Sequence, residues 1–194
     1  MLKMINLITF FIIFSLSTVL FAAEFKIDPK HSHVGFKVRY MMLSSIKGQF
    51  KSFDGKAVLN ENGEIDKING IIDVNSIETF DKKRDAHLKS DAFFNADLYP
   101  SITFETVKIV KIDDSYIALG ELNIHGISKK VSIPFKLSEK IVDVYGNERM
   151  GIEGAIRINR KEYGIMYSEK MDNGGLVVDD HVDLELNVQL IKQS

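Results

Sequence analysis

Near the end of the chain, in VDLELNVQL, Val182, Leu184, Leu186, Val188 and Leu190 alternate with Asp183, Glu185, Asn187 and Gln189. That period of two puts apolar side chains on one face of a β-strand and polar ones on the other. The same alternation runs through VSIPFKL, where Val131, Ile133, Phe135 and Leu137 share a face, and through INGIIDV, where Ile68, Gly70, Ile72 and Val74 do. About eight such segments fall between Phe25 and Ile191. Asn62-Gly63, Asp113-Asp114-Ser115 and Tyr145-Gly146-Asn147 separate them with turn chemistry. Connections this short join antiparallel neighbours, because a parallel crossover needs a dozen or more residues. One stretch departs from the pattern: FDKKRDAHLKSDAFFNADLYP has no alternation. Asp81 stands there as an N-cap and predicts a helix to about Ser90, Asp91 is placed to cap a second short turn carrying Phe93 and Phe94, and Tyr99-Pro100 stops the segment before a strand at Ser101.

Half-buried antiparallel strands close either as a sandwich or as a barrel, and the alternation alone leaves both open. The inward phase holds small residues, Gly55, Ala57, Gly70 and Gly154, beside Phe53, Leu59, Ile72 and Ile156. In an eight-stranded barrel such missing volume makes room for one elongated apolar ligand. The same glycines would equally serve bulges or bends that curve a sheet.

The N-terminus changes the picture of where the chain works. Residues 1–23 read as a targeting segment, with Lys3 the only charge ahead of an apolar run from Leu7 to Phe21 that ends in Ala22-Ala23. The run is shorter than the roughly 20 residues a bilayer span needs, so cleavage after Ala22 or Ala23 is expected, leaving one domain over residues 24–194. Without Lys3 the chain has one cation fewer than its 25 Lys and Arg, against 27 Asp and Glu, and such a balance carries no nucleic-acid footprint. The absence of cysteine excludes a disulfide framework, a thiol nucleophile, a cysteine zinc site and a lipidated cysteine after the leader.

Five places are candidates for chemistry. In HSHVGFKVRY the apolar phase is Val34, Phe36, Val38 and Tyr40, so His31 and His33 fall on the polar face with Lys37 and Arg39, a poor surround for a metal. Ser44 to Lys47 matches serine-lysine spacing but lies in an extended stretch without partner motifs, and Gly120 and Gly126 lack the context of a phosphate loop. On the helix, Arg84, His87, Leu88 and Asp91 form one stripe: either Arg84, Asp85 and His87 latch the helix down, or they line a pocket mouth and meet a head group. Arg160 falls in the inward phase of IEGAIRINR, where it needs a carboxylate partner, Asp85 being a candidate, or an anionic ligand head group.

IDPKHSHVGF, RDAHLKSDAFFNADLYPSITF, LNIHGISKKVSIPF, and INRKEYGI followed by VVDDHVDLELNVQL occur in that order, and together they resemble the YceI-like family over essentially the whole mature length. Glu162-Tyr163 and Ser128 stand where the family pattern usually has Asp-Phe and Thr, changes that keep the residue class. The resemblance implies an all-β, eight-stranded antiparallel lipocalin-like barrel with a short helical insertion covering one end. It further implies a periplasmic protein that holds a polyisoprenoid or another long-chain amphiphile, without catalytic residues, metal or cofactor. Ligand-binding positions are then expected at Phe36, Val38, Phe53, Ala57, Ile72, Val74, Phe104, Ile156 and Leu184, with Arg84, His87 and Arg160 near the head group. Transient membrane contact for loading and pairing of two copies stand as further partner expectations. A metal-assisted enzyme using His31, His33, His87 or His125, and a structural barrel without ligand, are the competing functions.

Overall fold

The computed structural model describes residues 23–172 and 174–193. The expected targeting segment therefore lies outside the described residues, except for Ala23, which opens the first strand. The strands are β1 (Ala23–Ile27), β2 (His33–Tyr40), β3 (Ser44–Phe50), β4 (Phe53–Leu59), β5 (Ile65–Asp73), β6 (Ile77–Glu78), β7 (Ser101–Ile112), β8 (Ser115–Ile124), β9 (Ile127–Leu137), β10 (Ile141–Val142), β11 (Glu148–Asn159) and β12 (Val178–Lys192), with one α-helix among the described residues, α1 (Lys82–Lys89). Neighbours pair in the order β11, β9, β8, β7, β5, β4, β1, β12, and β12 returns to β11. This is a closed antiparallel barrel of eight strands, and the alternation of side chains decides for it over a sandwich only through that closure.

The first three staves of the barrel are each broken. β1 and β2 are halves of one stave bent at a 3-10 turn, Pro29–His31, where Pro29 cannot donate and Asp28 caps the Lys30 amide. β3 and β4 break at Lys51-Ser52, and β5 and β6 at Val74–Ser76. The breaks stay bonded to their neighbours: the Asp28 amide donates to the Gln189 carbonyl at 2.8 Å, and the Gln189 amide donates to Ser32 Oγ at 2.9 Å. Likewise the Lys51 amide reaches the Ser76 carbonyl and the Asp73 amide the Ser52 carbonyl.

Apolar inward positions fill one end completely. Phe25 and Ala57, paired across β1 and β4, are wholly buried, as are Leu59, Met150 and Leu190 around them, and together they form a solid floor. At the other end β9 and β11 pair only from Ile152–Leu137 to Gly154–Phe135, and the next residue on β9, Pro134, has no N–H to extend the ladder. Helix α1 begins at the expected N-cap, Asp81, which accepts from the Lys83 and Arg84 amides. It buries no residue fully. It is fixed instead by Thr79, 3% exposed, whose amide and hydroxyl both donate to Asp85 while Arg84 Nε and Nη2 donate back to its hydroxyl and carbonyl. The expected short turn carrying Phe93 and Phe94 is there, but it is held by the helix end and not by an Asp91 cap, with the Phe93 and Asn95 amides both donating to the Ser90 carbonyl.

The bend at Asp28 is clamped by charge. Arg149 Nη1 donates to Asp28 at 2.7 Å and its Nε to Asp143 at 2.6 Å, while the exposed His31 donates its Nδ1 to Asp28 at 2.8 Å. Arg149 foremost, then His31, lowers the Asp28 carboxyl to about 2. Because the folded state holds that proton less tightly than the unfolded chain, the clamp stabilises fully above the ordinary carboxyl range and is lost as pH falls through about 2. Asp28→Asn should therefore lower the melting temperature at neutral pH and flatten its decline between pH 4 and pH 2, as read by thermal scans across that window.

Candidate ligand-binding cavity

Above the floor the barrel is hollow, with a cavity of about 220 Å³. Two devices make the space. Phe36 lies flat against Gly48, its partner across β2 and β3, and Phe104 lies against Gly120, so each glycine provides the room its neighbour's ring occupies. At Gly70 the wall simply lacks a side chain, whereas a Cβ at Gly154 would press on the Pro134 carbonyl and on Phe135; both residues line the cavity. Gly55 is in the same phase, but the Asn69 carbonyl and then Ile27 stand where its Cβ would go. Asp54, Lys56 and Asn69 border the cavity where the Gly55–Gly70 pair leaves the wall only backbone thick.

The cavity brings together Phe36, Val38, Phe53, Ile72, Phe104, Ile156, Arg160 and Leu184 from the sequence-derived site. Four expected residues stand elsewhere. Ala57 is part of the floor and Val74 is packed in the break between β5 and β6, because alternation tells inward from outward but not height along the barrel. Arg84 is taken up by Thr79, and His87 is packed edge-on between Phe93 and Tyr167 at 5.1 and 5.2 Å. Cavity walls that the alternation did not mark come from the irregular segments: Phe93 and Phe94 after α1, and Tyr163 and Ile165 after β11. Phe94 meets Phe50 edge-on at 6.3 Å and Phe50 meets Phe36 at 5.8 Å, so the segment after α1 caps the cavity through a chain of rings.

Arg160 is the buried charge of this wall, 4% exposed. Its Nε donates to the Asp179 carbonyl at 2.9 Å, Nη1 to the Ile165 carbonyl at 2.8 Å and Nη2 to Asp180 Oδ1 at 3.1 Å. Burial pulls its pKa down and the carboxylates of Asp180 and Asp179 push it back. The expected partner Asp85 is committed to Thr79 instead, so the carboxylate at the barrel end is Asp180, which Lys161 also holds at 2.9 Å. Arg160 thereby ties the 164–177 segment to the start of β12 while its side chain borders the cavity. Of the histidines, His31 is bound to Asp28 and His33 folds over Gly35 on the outer face. His125 packs on Tyr99 at 4.4 Å in the turn between β8 and β9. Among the described residues no three His, Asp or Glu side chains gather at metal-binding distance.

The arrangement, a barrel with a solid floor and an apolar chamber beneath an aromatic cap, matches a known domain type. Residues 25–190 match the family model of the YceI-like domain. The chain belongs to the YceI-like family. Its relatives include a UPF0312 protein of Pseudomonas aeruginosa, 35% identical over 175 residues that span 89% of this chain and 88% of that protein. Among solved structures, the YceI protein of Campylobacter jejuni superposes with a TM-score of 0.70 at 26% identity, covering 80% of this chain and 90% of that one. A polyisoprenoid binding domain from Saccharophagus degradans shares the fold alone, with a TM-score of 0.66 at 13% identity over 87% of this chain and 98% of that one.

Two predictions follow from the wall of this YceI-like barrel. A Cβ at Gly70 meets nothing nearer than the Asp54 carbonyl at 3.7 Å, whereas one at Gly120 would collide with the Glu105 carbonyl and the Phe104 ring. Gly70→Leu should fill the chamber with a stability change within about 1 kcal/mol, and Gly120→Leu should cost about 3 kcal/mol or more, both read by chemical denaturation. Arg160→Met should destabilise by about 3 kcal/mol, because it strips the Asp179 and Ile165 carbonyls of their side-chain donor and leaves Asp180 to Lys161. Limited proteolysis of that variant should cut first within residues 164–177.

Proposed function

We propose that this protein is an exported, periplasmic carrier that holds a polyisoprenoid or another long-chain amphiphile by its tail. One observation carries the reading: apart from Asp54, Lys56 and Asn69 at the Gly55–Gly70 gap, the side chains lining the chamber are apolar save the Arg160 guanidinium and the Tyr163 hydroxyl. Such a wall has nothing to offer a polar substrate, which would lose its hydrogen bonds to water without replacement. It suits an alkyl or isoprenoid chain, for which burying roughly 300 Å² yields about 7 kcal/mol. Arg160, near the end of the chamber where Val38 and Val178 are the last inward positions, supports a head group held close to that end. The leader-like residues 1–23 support export. The fold shared with a domain described as polyisoprenoid-binding agrees with a tail of that class. Loading then involves transient contact with a bilayer, since such cargo has no free concentration in water to speak of.

The test is organic extraction and mass spectrometry of protein purified from a bacterial periplasm, beside titration of the stripped protein with fluorescent fatty-acyl and isoprenoid probes. A stoichiometric long-chain species and saturable uptake are expected, and Gly70→Leu should reduce uptake about tenfold or more while the protein stays folded. Protein that arrives empty and binds neither probe would defeat the carrier reading.

A further inference from the structure

The turn between β2 and β3 breaks two local rules at once. Met41 and Met42 both have left-handed backbones, with φ of 49° and 58°. That succession is the one for which Asn-Gly is preferred, because a larger side chain is crowded by the following carbonyl. The turn is also apolar where it is exposed: Met42 is 64% and Leu43 84% accessible, and Met41 37%. It is firmly held, with the Leu43 amide donating to the Tyr40 carbonyl at 3.1 Å, the Met41 amide to the Val177 carbonyl at 2.7 Å, and Arg39 Nη2 to the Met42 carbonyl at 2.8 Å. A turn that only connected two strands would be better made of Asn-Gly on both counts.

Cations stand directly behind it. Lys37 faces Lys47 across β2 and β3, an arrangement of like charges that is unfavourable by itself, and Arg39 follows on the same outer face. Asp183 opposite Lys37 is bound to Arg157 at 2.6 Å and also feels the charge of Lys37, and Asp179 borders the same surface, so the cations Lys37, Arg39, Lys47 and Arg157 there outnumber the two carboxylates. Among the described residues Lys37, Arg39 and Lys47 form no salt bridge. At ~3.3 Å per residue, Arg39 and Lys37 lie about 7 and 13 Å behind Met41, close to the separation between acyl boundary and phosphate for a chain that dips into a bilayer surface. The turn also adjoins the chamber: Val38 lines it, and Tyr40 pairs with Val178, which lines it too.

We propose that the β2–β3 turn docks on an anionic lipid bilayer, with Met41, Met42 and Leu43 below the phosphates and Arg39, Lys37 and Lys47 against them. The proposal rests on the carrier reading for its purpose, since it brings the end of the chamber to the membrane that supplies or receives the cargo. Charge favours a bilayer over a second copy, because a two-fold contact centred on this turn would bring the same three cations face to face.

The measurement is flotation of the mature protein with phosphatidylglycerol–phosphatidylethanolamine vesicles and with phosphatidylcholine vesicles, at low and high salt. Wild type should float with the anionic vesicles and release in salt. The double substitution Met41→Asn with Met42→Gly should reduce that partition about tenfold or more while raising the melting temperature, since it relieves both left-handed positions. Lys37→Gln with Lys47→Gln should remove the preference for the anionic vesicles. Equal flotation of wild type and the Asn-Gly variant would overturn the proposal, as would wild type that floats with neither vesicle while still taking up fluorescent probe. Self-association abolished by the same swap, without vesicle binding, would assign the turn to a second copy and also overturn it. Vesicle binding through this turn in a protein that takes up no probe would leave the docking surface standing and remove the carrier reading alone.

Discussion

Everything in this barrel depends on β12 finding hydrogen-bond partners along both of its edges. One edge runs in unbroken register with β11 from His181–Asn159 to Ile191–Arg149. The other is shared between β2 and β1, with the bend at Asp28–Ser32 between them. A buried amide or carbonyl left unpaired at such a bend would cost about as much as a lost hydrogen bond. Here the Asp28 amide and the Ser32 hydroxyl serve Gln189, so β12 is bonded straight across the break. Arg149, reaching from β11 to Asp28 on the far side of β12, holds the same point through side chains.

Once the backbone is satisfied by closure, the interior need not be filled to be stable. Most protein interiors are packed as densely as organic crystals. This one reaches that state only at the floor, where Phe25, Leu59 and Leu190 meet. Higher up, glycines set opposite aromatic rings turn volume that would be core into chamber: Phe36 on Gly48 and Phe104 on Gly120 lie against the wall instead of across it. The cap of Phe93 and Phe94 comes from outside the sheet and is positioned by the clamp of Arg84 and Asp85 on Thr79. Floor, wall and cap thus rest on three different interactions: close packing, glycine spacing, and a buried polar clamp.

The sequence carried the regular parts of this design and little of the rest. Alternation in Val182–Leu190, the N-cap at Asp81 and the Asn62-Gly63 turn each report a local constraint, and the structure has a strand, a helix start and a hairpin turn there. The inward phase found Phe36, Phe53, Ile72 and Ile156 but grouped Ala57 and Val74 with them, since a period of two encodes which face a residue takes and nothing about its height. Pairing between distant charges was not legible: Arg160 is bound to Asp180, while Asp85 is bound to Thr79. Nor was the Met41-Met42 turn, which has none of the residues that mark one. The family resemblance supplied the barrel closure that alternation left open, and the β12–β11 ladder is its physical basis.

Several departures from local rules lie at the end away from the floor. Besides Met41 and Met42, Phe80 is 82% exposed with a left-handed φ of 62°, just ahead of the helix that caps the chamber. Arg160 is buried at that end, and the β9–β11 ladder stops short of it at Gly154–Phe135, leaving Lys129 and Glu162, 3.8 Å apart, across the gap. Sequences are consistent at every level where only folding is required, and inconsistencies persist where something else is selected. A wall with fewer ladder bonds at one end opens there first, at less free energy than global unfolding, while the packed floor keeps its register. On the carrier reading proposed above, that asymmetry would let the chamber exchange its contents without giving up the closure on which the fold depends.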